Sequence, residues 1–228
     1  MIYTDKSLIA VTGHYGVGKT NIAVNIACAM SRDRAFDGLH LSLIDFDIVN
    51  PYYRSSDNIN EAERYGFELI SPLYANSNVD VPGVVPDVLK AFLPGNAAIF
   101  DVGGDDSGAF ALGGLSEKFK QHGYEMFCVI NMYRPSIVEP EDALQMMRDI
   151  ELSSSMKITA VINNSNLGVE TSTETVRNSF DYAKKVCELS QLPLAATTAD
   201  NSLIPLFDRQ EIQEYKITGI TNATKRPF

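Results

Sequence analysis

The sequence predicts an α/β fold, a three-layer α/β/α sandwich around a mostly parallel, doubly wound sheet of about seven or eight strands. Strand-length apolar runs recur that are apolar throughout rather than alternating, as suits strands covered on both faces, although a short buried helix reads the same way. Helical patterns fill the gaps, so strand and helix alternate along the 228 residues. The first strand also breaks into glycines and runs straight into a helical pattern, "AVTGHYGVGKTNIAV" at residues 10–24. Alternation with connections of this length implies right-handed crossovers and puts ligands at the carboxyl ends of the strands.

Strands are expected at "LIAVT" (8–12), "LSLIDF" (41–46), "FELISP" (67–72), "AAIFDV" (97–102), "EMFCVIN" (125–131), "ITAVIN" (158–163) and "LPLAATT" (192–198). Helices are expected at about 18–31, 84–92, 107–121, 138–153, 172–190 and 201–210. Pro135 and the acids at 139, 141 and 142 suit the entry to the fourth of these helices, where Met146 and Met147 read as core filling. The final stretch, "EYKITGITNATKRPF", is more polar, carries Lys225 and Arg226, and reads as a loose tail or an added edge strand. No repeat, low-complexity tract or linker divides the chain, so residues 1–228 read as one domain.

Composition narrows the function. With 45% apolar residues the chain can bury a large core. Its formal charge of -10 argues against a general affinity for nucleic acid or anionic lipid, leaving room only for a local basic patch. The first residues, "MIYTDKSLIAV", lack the basic start and apolar core of a secretory signal, no apolar run approaches the roughly 20 residues of a membrane span, and the C-terminus shows no amphipathic basic helix, so a cytoplasmic protein away from membranes is expected. Cys28, Cys128 and Cys187 lie far apart and read as buried free thiols.

The break after the first strand is G-x-x-x-x-G-K-T, "GHYGVGKT". Backbone N–H groups can wrap a phosphate chain only if the loop comes very close and takes conformations that side chains forbid, which its glycines permit. The candidate contacts are Gly13, His14, Tyr15, Gly16, Val17, Gly18 and Lys19, with Thr20 and Asn21 opening a helix whose positive end faces the anion. Lys19 would reach the outer phosphates, and the Thr20 hydroxyl would ligate a bridging Mg2+. A purely structural glycine turn is the competing reading.

A magnesium nucleotide also needs acids near the metal, and two strands end in them. Asp45 and Asp47 in "LSLIDFDIVNP" point the same way if the strand continues through Phe46. Asp101 follows four apolar residues in "AAIFDVGGDD", and Gly103 or Gly104 after it could offer an N–H to the terminal phosphate. A carboxylate at the tip of a buried strand is costly without a partner, and a hydrated Mg2+ is a natural one. The competing reading is that these acids cap following helices; Asp105 and Asp106 read as solvated loop acids.

Together "GHYGVGKT", "LIDFDIVNP" and "FDVGG", in that order and at those spacings, resemble the MinD/ParA/Mrp group of P-loop ATPases over about residues 8–210. The resemblance implies ATP/ADP and Mg2+ as cofactors, with Asp45 and Asp101 holding the magnesium shell and Asp47 positioning the attacking water. It assigns adenine to Asn164, beside Asn163, with Ala199 and Asp200 in the loop over the base. No aspartate stands three residues after Asn163 or Asn164, as the guanine-type N-K-x-D would require, so ATP is expected over GTP. The family's extra lysine, which reaches across a homodimer, is replaced by His14, and a glycine by Tyr15; His14 either touches a phosphate or fills space beside Tyr15.

The expected function is a Mg-dependent ATP-binding protein with slow ATP hydrolysis, working as a nucleotide-dependent switch or carrier. A small-molecule phosphotransferase or ATP-dependent ligase similar to dethiobiotin synthetase and the cobyrinate amidation enzymes is the second expectation, and a nucleotide-sensing regulator without turnover the third. A protein partner or small-molecule substrate is expected near Asn50–Arg54, where Tyr52 and Tyr53 also lie. Arg134, at a strand end, reads as an effector contact, an internal charge partner or a phosphate ligand.

Overall fold

A computed structural model describes residues 2, 4–46, 59–70, 86–104 and 106–222. Asp47, the Asn50–Arg54 segment, Asp105, Lys225 and Arg226 lie outside them. The strands are β1 (Leu8–Thr12), β2 (His40–Phe46), β3 (Glu68–Ile70), β4 (Asn96–Val102), β5 (Glu125–Ile130), β6 (Ala160–Asn163), β7 (Leu194–Asp200) and β8 (Ile217–Ile220). They form one sheet in the order β3-β2-β4-β1-β5-β6-β7-β8, and every neighbouring pair is parallel. The expected doubly wound sheet is thus present, with eight strands among the described residues. The polar stretch after residue 214 supplies the added edge strand, β8.

The helices are α1 (Lys19–Met30), α2 (Ile59–Tyr65), α3 (Pro86–Leu89), α4 (Asp106–Gly113), α5 (Ser116–His122), α6 (Pro140–Ser154), α7 (Thr173–Arg177), α8 (Phe180–Ser190) and α9 (Arg209–Glu214). The chain leaves β1 towards β2 and β3, then returns through β4 to β5 and onward to β8. Right-handed crossovers send helices of the outward and return paths to opposite faces. Accordingly α1 packs on β1, β2, β4 and α2, whereas α4 packs on α6 and α6 on α8.

Several expected helices are divided, each for a local reason. The 107–121 pattern breaks after Gly113, where Gly114 and Leu115 close a tight turn onto Ala111 and Leu112. The 172–190 pattern breaks at the buried Ser179, whose hydroxyl donates to Val176 O (2.6 Å) and accepts from Asn163 Nδ2 (2.8 Å). The described part of the 84–92 pattern forms α3 and a 3-10 turn, Lys90–Phe92. The short polar α2 has too little apolar periodicity to read from sequence.

The core covers both faces of the sheet, with Ile22, Ala23 and Ile26 of α1 on one and Leu112, Phe119 and Ala143 on the other. Phe100 is wholly buried and meets Phe119 edge-on, with ring centres 4.9 Å apart, and Phe46 at 5.9 Å. Val176, Phe180, Ala199, Phe207 and Ile217 form a smaller cluster beside β7 and β8. Over it Arg177 pairs with Glu211, Nε to Oε1 at 2.6 Å and Nη2 to Oε2 at 3.1 Å.

Phe100→Ala should lower the unfolding free energy by about 3–5 kcal/mol, read as a fall in denaturant midpoint. The Arg177 guanidinium and the Asp208 amide hold the Glu211 carboxyl down to about 2 from an ordinary 4.5. A lowered carboxyl contributes stability above its unfolded value that fades as pH falls through the folded one. Arg177→Gln should therefore flatten the loss of stability between about pH 4.5 and 2 in acid titrations followed by circular dichroism.

Candidate functional site

The loop between β1 and α1 lies at the carboxyl edge of the sheet, where the strand order reverses. It rests directly on its neighbours. Gly13 has φ 139°, and a side chain there would strike the Val129 carbonyl of β5. Gly18, the N-cap of α1, has φ 95°, and a side chain there would strike Asn164 Nδ2. No side chain caps α1 and no acid stands in its first turn, so its leading amides face the loop with a positive field.

Asn164 ties the loop down from below. It is 4% exposed, its Nδ2 donates to Val17 O (2.7 Å), and its Oδ1 accepts from the Thr198 hydroxyl (2.6 Å). Its backbone N–H donates to Ile130 O (2.8 Å), so one residue joins the loop to the ends of β5, β6 and β7. Thr198 was not legible as a site residue; the only sequence signal is a threonine pair in an otherwise apolar strand. The neighbouring Asn163 is structural, bonding Ser179 and Ser165.

Lys19 is 7% exposed, and its Nζ donates to His14 O (3.3 Å) within the loop. The Thr20 hydroxyl donates to Asp101 Oδ2 (2.6 Å). Asp45 is the register partner of Asp101 on the adjacent strand, so the two carboxylates leave the sheet on one face, both buried. Two carboxylates and a hydroxyl are the hard oxygen donors that Mg2+ takes. Among the described residues no cluster of three or more His, Cys, Asp or Glu could hold a metal, so a cation here would complete its shell with phosphate and water oxygens, as Mg2+ does.

The two glycines after Asp101 differ. The Gly103 amide donates to Phe46 O (3.3 Å), extending the β2–β4 ladder. Gly104 lies against the loop: a carbon added to it would stand 2.6 Å from Lys19 Nζ and 2.7 Å from Tyr15 N. His14 is half-buried with Nδ1 3.1 Å from Tyr15 O, while Tyr15 is exposed. Asn21 lies in the first turn of α1, and its carbonyl accepts from Asn25.

At the far end of the site Ala199 is buried, whereas the exposed Asp200 accepts from the Ser202 amide (2.9 Å) and hydroxyl (2.6 Å), which lower its pKa. Asp200 is thus committed to its own turn. Arg134 was expected near the site, and its guanidinium stands beside Gly16, with Cζ 3.4 Å from where a side-chain carbon would be.

No family model matches the chain, and no curated protein matches its sequence. Solved structures do match its shape. One is the signal recognition particle 54 kDa protein of Aeropyrum pernix K1 in complex with GDP, at TM-score 0.52 and 14% identity over 85% of this chain and 41% of that one. Another is the signal recognition particle receptor FtsY of Elizabethkingia anophelis in complex with GDP, at TM-score 0.50 and 15% identity over 84% of this chain and 57% of that one. The fold is that of the P-loop nucleoside triphosphatases. The chain spans less than two thirds of the length of either match, and at these identities the likeness is one of fold alone.

No helix among the described residues of this P-loop fold is long and apolar enough to cross a membrane. Asn164→Ala would remove the donor to the Val17 carbonyl and leave the buried Thr198 hydroxyl only its longer bond to Asn163 O (3.4 Å). It should cost about 1–3 kcal/mol in unfolding free energy and speed amide hydrogen exchange in residues 13–18, while exchange in β2 stays unchanged.

Proposed function

We propose that the chain is a Mg-dependent ATP-binding protein that hydrolyses ATP slowly and works as a nucleotide-dependent switch or carrier of the MinD/ParA kind. The observation that carries this reading is the Thr20 to Asp101 hydrogen bond beneath a glycine loop whose lysine is already drawn into the loop. It brings together a phosphate cradle, a cation and oxygen donors suited to a divalent metal.

In this reading the amides of residues 13–20 and Lys19 hold the β- and γ-phosphates. Thr20, Asp45 and Asp101 would hold Mg2+, which when bound neutralises phosphate charge. Asp47 orients a water whose oxygen bonds to the terminal phosphorus as the bond to the bridging oxygen breaks, giving ADP and inorganic phosphate. The Gly104 backbone against Tyr15 and Lys19 is suited to feel whether a terminal phosphate is present.

The base is the point on which a second reading stands. Both matched proteins were solved with GDP, which favours a guanine nucleotide. Against it, residues three places after Asn163 and Asn164 are Asn166 and Leu167, neither of which can take the two protons of guanine's amidine edge as a carboxylate does. The Asn166 amide is moreover engaged with Asn164 O and the Gly168 N–H. ATP is therefore the proposed nucleotide. The partner or second substrate proposed at Asn50–Arg54 lies outside the described residues.

Titration calorimetry should show Mg2+-dependent binding of ATP and ADP, weaker binding of GTP, and loss of binding in Lys19→Ala. Asp47→Ala should keep ATP affinity within about threefold and lose phosphate release, because a water-orienting group acts only on the chemical step. Parental turnover in Asp47→Ala would remove that role. Phosphate release that requires an added metabolite would point to the phosphotransferase or ligase, and tight binding without release over hours to the regulator.

A further inference from the structure

We propose that Arg134 is a phosphate ligand of this site, an in-chain guanidinium that closes over the outer phosphates held by the glycine loop. The inference rests on the nucleotide reading above and names the fixed cation that completes its charge.

Arg134 follows β5 at the N-cap of a 3-10 turn, Pro135–Ile137. Its backbone is held on several sides. The Arg134 amide donates to Asn131 O (3.0 Å), and its carbonyl accepts from Ile137 N (3.0 Å). Asn131 is wholly buried, and its Oδ1 accepts from the amides of Tyr133 (3.0 Å) and Asn166 (3.3 Å). Met132 N donates to the Ser165 hydroxyl (3.0 Å), and the Tyr133 hydroxyl donates to Thr175 O (2.8 Å). The turn carrying the arginine is therefore built in advance and costs little to order when a ligand arrives.

From that turn the side chain reaches back over the loop. A carbon added to Gly16 would stand 3.4 Å from Arg134 Cζ, 3.5 Å from Nε and 3.6 Å from Nη1. The guanidinium thus packs against the residue midway along the amide-lined curl. Arg134 is nevertheless exposed, so a ligand arriving at the loop can reach it. Among the described residues no ion pair engages it.

The chemistry of the site calls for such a group. Asp45 and Asp101 bring two negative charges to the loop, and Lys19 brings one positive. The imidazole of His14 turns one nitrogen to its own loop at Tyr15 O, and it is not a fixed cation. A guanidinium keeps its charge and presents planar N–H pairs matched to phosphate oxygens. Placed on the same chain as the loop, it stabilises charge on the terminal phosphoryl group without a second molecule.

The test uses the full chain, Mg2+, ATP, ADP and a non-hydrolysable ATP analogue. Arg134→Gln should weaken the analogue by about tenfold or more, weaken ADP less, and slow phosphate release by about 100-fold or more. Arg134→Lys should fall between the two, and millimolar guanidinium chloride should restore part of the turnover of Arg134→Ala, which a merely packing residue would not allow. Mixing Arg134→Gln with Lys19→Ala should recover nothing, because the arginine serves its own chain. Melting of the nucleotide-free variants reports on folding; if Arg134→Gln melts early, Arg134→Lys and the guanidinium rescue decide. Parental affinity and turnover in Arg134→Gln, or recovery on mixing, would overturn the inference while leaving the nucleotide reading intact. A parent chain that binds neither ATP nor GTP would overturn both.

Discussion

The site depends on β1 being held between two parallel neighbours. Val11 is paired with Asp101 on one side and Thr12 with Cys128 on the other, so the chain leaving β1 emerges between the tips of β4 and β5. With strands on both sides, the loop can only turn back over those tips. That constraint puts Thr20 within reach of Asp101, sets Gly13 against Val129, and leaves Gly16 under the arginine that follows β5. None of these neighbours is near the loop in sequence. All of them follow from the order of the strands.

Rigid support and open space are divided between the two ends of the loop. Its base is locked by buried polar side chains: Asn164 under Val17, and Asn131 and Ser165 under the next connection. Buried polar networks of this kind are stabilising only when every member is satisfied, which makes them good at specifying a single arrangement. Its rim, by contrast, carries exposed or half-exposed groups, Tyr15, His14 and Arg134. The polyphosphate cradle proposed here needs this division, since amides aimed at an anion help only if they do not have to reorganise when it arrives.

Much of this was legible because the relevant signals are local. The apolar runs marked β1, β2, β4, β5 and β6 to within one or two residues, since a strand covered on both faces must be apolar along its whole length. The glycine spacing marked the loop, and an acid ending an apolar run marked Asp45 and Asp101. Less was visible where long-range packing decides. Gly103 and Gly104 look equivalent in sequence, yet the first extends the ladder to Phe46 and the second lies against the loop. In the 107–121 pattern the Gly113–Gly114 pair was a visible turn signal outweighed by the helical periodicity, whereas the 172–190 pattern gave no sign of its break, because Ser179 was needed to meet Asn163.

The sequence by itself determined the parallel α/β architecture, the glycine loop after the first strand and the two strand-end carboxylates, because each is written in residues close together in the chain. Only the tertiary structure decided which partners those residues have. Asn164 proved to be a brace between the loop and Thr198, Asp45 the register partner of Asp101, and Arg134 the cover on Gly16. The reason is physical: hydrogen bonds and charges act over a few ångströms in space, and strand order, which brings distant segments that close, leaves no trace in the local pattern of either one.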